Sequence, residues 1–440
     1  MINIDYLYDF NKDRYSRIYE KRLDKVDNIE YIELDNAVVL PAKNDDIRLF
    51  GLGGVIDKDD KYVKSSGIYS RGRFLSNVND EEINVFGGKY EFNKNDIEYS
   101  KKKSIYLGYI TNHWGHFLVD FSTRLWYVLE NREDVDYIFV VKENQRFELI
   151  KNIKRFLELL GINLENIKFI NKPTCFEKII VPQVSYFTNK YYSEKYLKVF
   201  DKVCESVNIK NEKINGVYFS RNSWYKAQES EIGEDLLIDL FQKNGYKIIA
   251  PEKCTLDEQI SYIRNSEVVV GVAGTIPHNM LFANDKQKMI IINKTYNFNS
   301  MQKDINIMKN LDAVYIDSYI SILPVPLGNG TFLIIYNENM KKFIQDNQYT
   351  FPDKMYQQEC FNIKLIKKYK RLLRQTGNIK HVNYIEDSNN SGYFEPGHLI
   401  YYYKNFYYET EPIKVSEKII GKFSKIKMLI GKIRFKLKNR

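Results

Sequence analysis

The sequence predicts an α/β protein in which two doubly wound domains face a cleft, because two series of alternating strand-like and helix-like segments occur along the chain. A polar, helix-like stretch at 190–213 separates the two series. The 440 residues are also too many for one ordinary core. We therefore expect an N-terminal domain at 1–205 and a second domain at 206–325, followed by an accessory region at 326–413 and a basic helix at 414–440.

The first series follows a mixed region of short apolar runs separated by Gly and Asp turns. Its segments are, in chain order, a strand at 104–110, a helix at 116–129, a strand at 137–141, a helix at 147–160 that Gly161 ends, and strands at 166–170 and 178–182. Strand, helix and strand at this spacing predict a right-handed parallel unit.

The second series has the same alternation and ends in a glycine turn. Its segments are strands at 216–221, 246–251, 267–274 and 288–293, a helix at 231–244, and a helix that begins after Thr255. Glu258 follows Thr255 at the spacing of a capping box. Because ligands of open parallel sheets bind beyond the carboxyl ends of the strands, we expect a binding site at that edge.

The composition excludes several classes of protein. Hydrophobic residues make up 44% and charged residues 28%, which is typical of a globular chain. The net charge is +9, and residues 414–440 alone contain ten Lys or Arg and one Glu, so the remainder of the chain is close to neutral. A nucleic-acid partner is therefore not expected for the folded body. The four cysteines lack CxxC spacing and are predicted to be reduced thiols of an intracellular protein.

The basic C-terminal segment at 414–440 is predicted to form an amphipathic helix. Apolar residues recur there at steps of three or four, namely Val415, Ile419, Phe423, Ile426, Ile430, Ile433 and Leu437. A helix of this kind binds the surface of an anionic membrane, which predicts a cytoplasmic protein held peripherally at the inner face of the plasma membrane. There are two alternatives: a terminal helix that packs on the folded body, and a tail that binds nucleic acid.

The stretch NHWGHFLVD at 112–120 holds two of the five histidines of the chain. If a helix begins near Gly115, His116 and Asp120 are four residues apart on one face. A carboxylate beside an imidazole raises its basicity and fixes its tautomer, as a general base requires. Two alternatives remain open: structural histidines, and a metal site with His113, His116 and Asp120 as ligands.

The stretch EVVVGVAGTIPHNMLFA has the pattern of an anion-binding turn. The strand ends at Gly271, Gly274 opens a helix, and Thr275 is the expected N-cap. The glycines let a ligand approach the main chain, and the start of a helix attracts a pyrophosphate. His278 and Asn279 lie in the first turn, where their side chains can also donate. A plain structural turn is the alternative.

Arg221 ends the first strand of the second series, so we expect its side chain to reach the same crevice. An arginine can hold a phosphate through two parallel hydrogen bonds. Lys226 is a weaker second cation, and a surface ion pair is the alternative role of Arg221.

Four segments between about 105 and 295 resemble the glycosyltransferase family 61 domain, which occurs in bacterial capsular polysaccharide biosynthesis proteins. They are NHWGHFLVD, YFSR, IIAPEKCTLDEQI and VVVGVAGTIPHNMLF, in the order of the family. The resemblance implies a GT-B fold, in which two Rossmann-like domains face a cleft and the second one binds a nucleotide-sugar donor.

The same resemblance implies an inverting, metal-independent transfer of a sugar to a capsular or cell-surface polysaccharide, with an oligosaccharide or a lipid-linked glycan as acceptor. No cofactor is implied beyond the donor substrate. It assigns catalysis to His116 and Asp120, with His113 beside them. The residues implied to hold the donor are Arg221, Lys226, Gly271, Gly274, Thr275, His278 and Asn279.

Two other functions fit parts of the sequence. The first is a metal-assisted hydrolase that uses His113, His116 and Asp120, and it predicts bound metal. The second is a non-catalytic scaffold that uses the basic helix to join a membrane assembly, and it predicts no affinity for nucleotides.

Overall fold

The structure is a computed structural model that describes residues 7–8, 19, 22–71, 82–131, 134–209, 212–223, 231–295, 299–319, 332–334 and 336–351. Lys226, most of the predicted accessory region and the predicted basic helix at 414–440 lie outside these residues. Among the described helices, none has the length and apolar character needed to cross a membrane.

The described residues form strands and short helices in the alternation that the sequence predicts. The strands are β1 (Leu7–Tyr8), β2 (Asp24–Lys25), β3 (Tyr31–Lys43), β4 (Leu52–Ile56), β5 (Ile68–Arg71), β6 (Glu82–Phe86), β7 (Glu98–Ser100), β8 (Ser104–Tyr109), β9 (Asp136–Val140), β10 (Ile167–Ile170), β11 (Thr174–Pro182), β12 (Tyr186–Phe187), β13 (Tyr191–Tyr192), β14 (Ile214–Phe219), β15 (Glu231–Ile232), β16 (Lys247–Ile249), β17 (Ser266–Val272), β18 (Lys288–Asn293), β19 (Asp312–Asp317) and β20 (Phe332–Leu333). The helices are α1 (Trp114–His116), α2 (Trp126–Glu130), α3 (Lys151–Leu159), α4 (Glu194–Glu205), α5 (Glu234–Lys243), α6 (Leu256–Asn265), α7 (Thr275–His278), α8 (Ser300–Met308) and α9 (Glu338–Asp346).

The second half of the chain, with the N-terminal strand β1 at one edge, forms a parallel sheet in the order β1-β19-β18-β17-β14-β16. Its central strands are buried because they have apolar cover on both faces. The chain leaves β14, makes the edge strand β16, and returns to the other side of β14 to form β17. The strand order therefore reverses between β14 and β17, which is where sheets of this type bind ligands.

The first half forms a mixed sheet in the order β10-β9-β8-β11-β3-β4, with β7 paired to β11. Strands β8, β9 and β10 are parallel, as predicted. Strand β11 continues the parallel run, but β3 and β4 are antiparallel to their neighbours. The short apolar runs that precede the first predicted series therefore form strands that extend this sheet.

One apolar core joins the two sheets. Phe156 on α3 and Phe200 on α4 contact Phe282, which follows α7, with ring centroids 6.1 Å and 5.6 Å apart. Near this contact, the Arg155 guanidinium donates two hydrogen bonds of 2.8 Å to the Asp257 carboxylate. The two halves are therefore packed against each other on this side of the molecule.

The helix predicted at 116–129 is not continuous, and this expectation was wrong. After α1 the chain makes a π-helical turn at Phe117–Phe121, and a helix resumes only at α2. The Ser122 and Thr123 hydroxyls donate to main-chain carbonyls three or four residues earlier, which competes with helix geometry. Arg124 is buried and donates to the carbonyls of Ser65, Gly67 and Pro182, so the chain must turn inward here.

Both ends of the described chain belong to the second half. Strand β1 pairs with β19, although the predicted N-terminal domain at 1–205 includes it. Helix α9 buries Met340, Phe343 and Ile344 in an apolar cluster with the strands of the second sheet. The beginning of the predicted accessory region at 326–413 is therefore part of the core of the second half.

Candidate active site

His116 and Asp120 form a close pair at the end of α1. The distance between His116 Nδ1 and Asp120 Oδ2 is 2.6 Å. The Asp120 side chain is 4% exposed and that of His116 is 24% exposed, so the carboxylate lies behind an imidazole that reaches solvent. The ring of Phe50 packs edge-on against the imidazole, with centroids 5.1 Å apart. This packing and the carboxylate fix the orientation of the His116 ring.

Asp120 lies in the π-helical turn, and His116 directly precedes it. The Ser122 amide donates to the Phe117 carbonyl, five residues back, instead of four. Turns of this kind are rare and occur frequently at functional sites. The i,i+4 contact predicted for His116 and Asp120 therefore exists, although the turn that contains Asp120 is π-helical and not α-helical.

His113 caps α1 from outside the helix. Its Nδ1 accepts a hydrogen bond of 3.2 Å from the His116 amide, and the two imidazole centroids lie 4.5 Å apart. Because Nδ1 accepts, the proton of a neutral His113 ring is on Nε2. His113 thus helps to place His116 in the turn.

Helix α1 packs against α7, which brings the two predicted motifs into contact. A Cβ atom on Gly115 would lie 2.8 Å from Thr275 Oγ1, so only glycine permits this approach. The Trp114 indole donates a hydrogen bond of 2.8 Å to Asn279 Oδ1. The histidine motif and the glycine turn, about 160 residues apart in sequence, therefore form one site.

The turn after β17 differs from the prediction in detail. Gly274 has a φ of +144° and is itself the N-cap, whereas Thr275 is the first helical residue and makes the contact with Gly115. Helix α7 has only four residues, so its dipole is weak. Gly271 is needed for packing, because a Cβ atom there would lie 2.6 Å from a methyl group of Ile276.

Arg221 lies beside this turn, as predicted. Its Nη1 is 3.4 Å from the position that a Cβ atom on Gly274 would occupy. The Glu234 side chain, which is 3% exposed, accepts from the Arg221 amide at 2.7 Å and from the Tyr218 hydroxyl at 3.0 Å. A buried carboxylate therefore fixes the main chain from which the guanidinium extends.

Sequence reasoning missed a second cation at this place. Lys294 Nζ lies 3.9 Å from the same position beside Gly274. A lysine directly after a buried strand was the available signal, since 288–293 was predicted as a strand that ends at this edge.

His278 is 3% exposed and occupies a neutral environment. Its Nδ1 lies 2.9 Å from Gln302 Oε1, and its Nε2 lies 3.2 Å from the side-chain Nδ2 of Asn299. Burial lowers the pKa of His278 to about 4, although the hydrogen bond to Gln302 opposes this shift; the nearby His116 and His113 rings act in the direction of burial, and the Asp120 carboxylate acts against it. His278 thus lies within electrostatic range of the histidine motif, and both it and the buried Asn279 contact protein groups.

Helix α8, which the sequence analysis did not predict, supplies the partner of His278 and several other buried polar groups. Lys303 and Asp304 are both fully buried and lie 2.8 Å apart. Asp304 Oδ2 accepts from the Tyr186 hydroxyl at 2.8 Å and from the Asn189 amide at 2.7 Å. Burial raises the pKa of the Asp304 carboxyl, whereas Lys303 and these donors oppose the shift. A second polar connection between the halves therefore lies behind the site.

Residues 114–290 match the family model described as Glycosyltransferase 61. The chain carries a glycosyltransferase 61 domain. The match begins at Trp114 and ends within β18, so it includes His116, Asp120, Arg221 and the turn at Gly274. No curated protein matches the chain. The match to this domain shows that the protein is an enzyme of the glycosyltransferase class. Enzymes of this class use a nucleotide-sugar donor and a glycan acceptor.

The predicted metal alternative has no counterpart in the described part of this glycosyltransferase. No group of three or more His, Cys, Asp or Glu side chains there is arranged to hold a metal ion. His113 Nδ1 faces the main chain and His116 Nδ1 faces Asp120, so the three predicted ligands do not form such a group.

Proposed function

We propose that this glycosyltransferase transfers a sugar in a single inverting displacement, without a metal, and that His116 is the general base. The observation that carries the proposal is the 2.6 Å contact of His116 and Asp120 at the junction of α1 and α7. A partly exposed imidazole with a buried carboxylate behind it can accept the proton of an acceptor hydroxyl and remain oriented.

The proton and the electrons follow a simple course in this reaction. His116 Nδ1–H donates to Asp120, so Nε2 takes the proton of the acceptor hydroxyl. The hydroxyl oxygen bonds to the anomeric carbon from one side while the bond from that carbon to the diphosphate oxygen breaks on the other. The diphosphate departs with the electron pair, and Asp120 stabilises the imidazolium that forms.

The donor diphosphate is proposed to lie at the reversal of strand order between β14 and β17, in a GT-B-like arrangement. Arg221 and Gly274 are adjacent there, and Gly274 has no side chain to exclude a ligand from its main chain. A guanidinium is well suited to a phosphate because it can donate two parallel hydrogen bonds. The contact of Gly115 with Thr275 supports a position of the base close to this donor site.

Three variants separate the base from the donor site. His116→Ala and Asp120→Asn should each abolish transfer while UDP, GDP or CDP still binds, because neither side chain is assigned to the diphosphate. Arg221→Ala should lose both binding and transfer. Calorimetry gives the nucleotide affinity and transfer assays give the rate, and each is measured once with magnesium and once with EDTA. Equal loss of binding and transfer in the His116 variant would refute its assignment as base, and loss of transfer in EDTA would refute metal independence.

The acceptor is proposed to be a capsular or cell-surface polysaccharide or its lipid-linked precursor, made at the cytoplasmic face of the plasma membrane. The basic segment at 414–440 supports this, because ten cationic residues accompany a regular apolar stripe. A chain without residues 414–440 should no longer co-sediment with anionic vesicles and should still transfer sugar to a soluble acceptor. Continued co-sedimentation of that shorter chain would contradict the membrane role of the segment.

A further inference from the structure

Lys294 lies on the opposite side of the glycine turn from Arg221. Strand β17, which leads into the turn, has β14 on one side and β18 on the other. Arg221 follows β14 by two residues and Lys294 follows β18 directly. Because the three strands are parallel, their carboxyl ends meet at one edge of the sheet. The topology therefore places one cation on each side of Gly274.

The two cationic groups converge on the same position. A Cβ atom on Gly274 would lie 3.4 Å from Arg221 Nη1 and 3.9 Å from Lys294 Nζ. Gly274 has a φ of +144°, a main-chain conformation that a residue with a side chain rarely adopts. A ligand that approaches the main chain here would thus contact both cations, and a ligand with several anionic oxygens fits best.

The surrounding structure holds the ammonium group in place. Lys294 is only 4% exposed, and its Nζ lies 4.3 Å from the centroid of the Phe332 ring. Burial of a lysine is costly, and the face of an aromatic ring compensates part of that cost. Phe332 belongs to β20, which pairs with β15, and β15 leads into the helix that begins with Glu234. The same short sheet therefore supports Lys294 and, through Glu234, the main chain of Arg221.

We propose that Lys294 is a second cation for the donor diphosphate and stabilises the diphosphate as it leaves. The inference rests on the proposed function, because it assigns a role at the same donor site. When the bond to the anomeric carbon breaks, the diphosphate gains one unit of negative charge. Two fixed cations on opposite sides of the diphosphate interact more strongly with the departing diphosphate than with the less charged diphosphate of the bound donor. Lys294 lies outside the residues 114–290 that match the family.

The experiment compares Lys294→Met with a matched buried lysine in the full-length chain. Lys309→Met is the control, because that lysine is 10% exposed but pairs with Asp201 away from the turn. Calorimetry with UDP, GDP and CDP first identifies the diphosphate that the wild-type protein binds. Lys294→Met should then weaken binding of that diphosphate by about 10- to 100-fold, because a charge-assisted contact is lost. The matching monophosphate should lose less affinity, and Lys309→Met should bind as the wild type does.

Each result has a distinct meaning. Equal affinity of Lys294→Met and the wild type for the diphosphate overturns the role of Lys294 and leaves the donor site intact. Failure of the wild type to bind any of the three diphosphates overturns the donor site, and the role of Lys294 with it. If Lys294→Met does not fold, Phe332→Leu keeps the ammonium but removes its aromatic contact. That variant should weaken binding several-fold, and unchanged binding there overturns the proposal.

Discussion

His116 and His278 occupy corresponding places in the two halves of the site, but their environments are opposite. Each is the last residue of a short helix, and these helices pack against each other. His116 is 24% exposed and contacts a carboxylate, whereas His278 is 3% exposed and contacts two amide side chains. A carboxylate stabilises a protonated ring, but burial among amides favours a neutral one. Burial and hydrogen-bond partners, more than sequence motif, thus decide which histidine can act as a base.

The same substitution at the two histidines should change kcat by very different amounts. His116→Gln should reduce kcat by about 10²- to 10⁴-fold, which is the usual contribution of a general base. His278→Gln should keep kcat within about tenfold of the wild type but lower the free energy of unfolding by about 1 to 3 kcal/mol. Transfer assays and urea unfolding measure the two effects. A larger loss of kcat in the His278 variant than in the His116 variant would reverse the comparison.

The second prediction uses the neutral state of His278. The pKa of His278 is lowered from 6.5 to about 4 in the folded protein. Between these two pH values the unfolded chain binds a proton at His278, whereas the folded protein does not. The contribution of the neutral His278 ring to the free energy of unfolding is therefore present above pH 6.5 and is lost as the pH falls toward 4. His278 should account for about 2 kcal/mol of the decrease between pH 7 and pH 5. Urea unfolding at the two pH values should show a smaller decrease in His278→Gln, and an unchanged decrease would contradict the assignment.

The third prediction tests the contact that joins the two environments. In Gly115→Ala the new methyl group meets Thr275 Oγ1 at 2.8 Å and should separate α1 from α7. We expect kcat to fall by about tenfold, since small misplacements of reacting groups are costly. Thr275→Ala removes both obstructing atoms, so the double variant Gly115→Ala/Thr275→Ala should recover kcat relative to Gly115→Ala. Without such recovery, the methyl group does not act through Thr275.

The smallest expected effect concerns the polar contact beside it. Trp114→Phe keeps an aromatic ring but removes the hydrogen bond of 2.8 Å to Asn279 Oδ1. The free energy of unfolding should decrease by about 1 kcal/mol, with little change in the affinity for nucleotide. Trp126→Phe is a control, because its indole donates at the same distance to the Gln183 carbonyl, within the first half. If both variants lose similar stability but kcat falls only in Trp114→Phe, the hydrogen bond from Trp114 to Asn279 supports the contact between α1 and α7. If kcat falls equally in both variants, this hydrogen bond has no specific role there.

The regular elements of the second sheet were predictable because their signals are local. The strand at 288–293 has the predicted bounds, and Thr255 and Glu258 form the expected capping box. Gly245, at the end of α5, has a φ of +81°, a conformation that glycine adopts without strain. In each case the physical cause lies within a few residues, so one stretch of sequence contains the whole signal.

Local signals failed where distant groups decide the conformation. The π-helical turn depends on Arg124, which donates to carbonyls at Ser65 and Gly67, more than fifty residues away. The antiparallel pairing of β3 with β11 joins segments that are far apart in the chain. Sequence analysis of one chain relies on the periodicity of its apolar residues. Neither the Arg124 hydrogen bonds nor the pairing of β3 with β11 changes that periodicity, so neither could be predicted.

The α/β class, the order of most strands along the chain, and the motifs of His116, Asp120 and Arg221 can all be read from the amino-acid sequence, since periodicity and residue chemistry are local properties. Three features of the site come from the three-dimensional packing: Lys294 lies beside Gly274, His278 is buried and neutral, and Gly115 lies against Thr275. These facts depend on which strands are neighbours and which helices pack together. Burial and proximity across a fold arise from contacts between residues far apart in sequence, and those contacts set the charge and position of each group in the site.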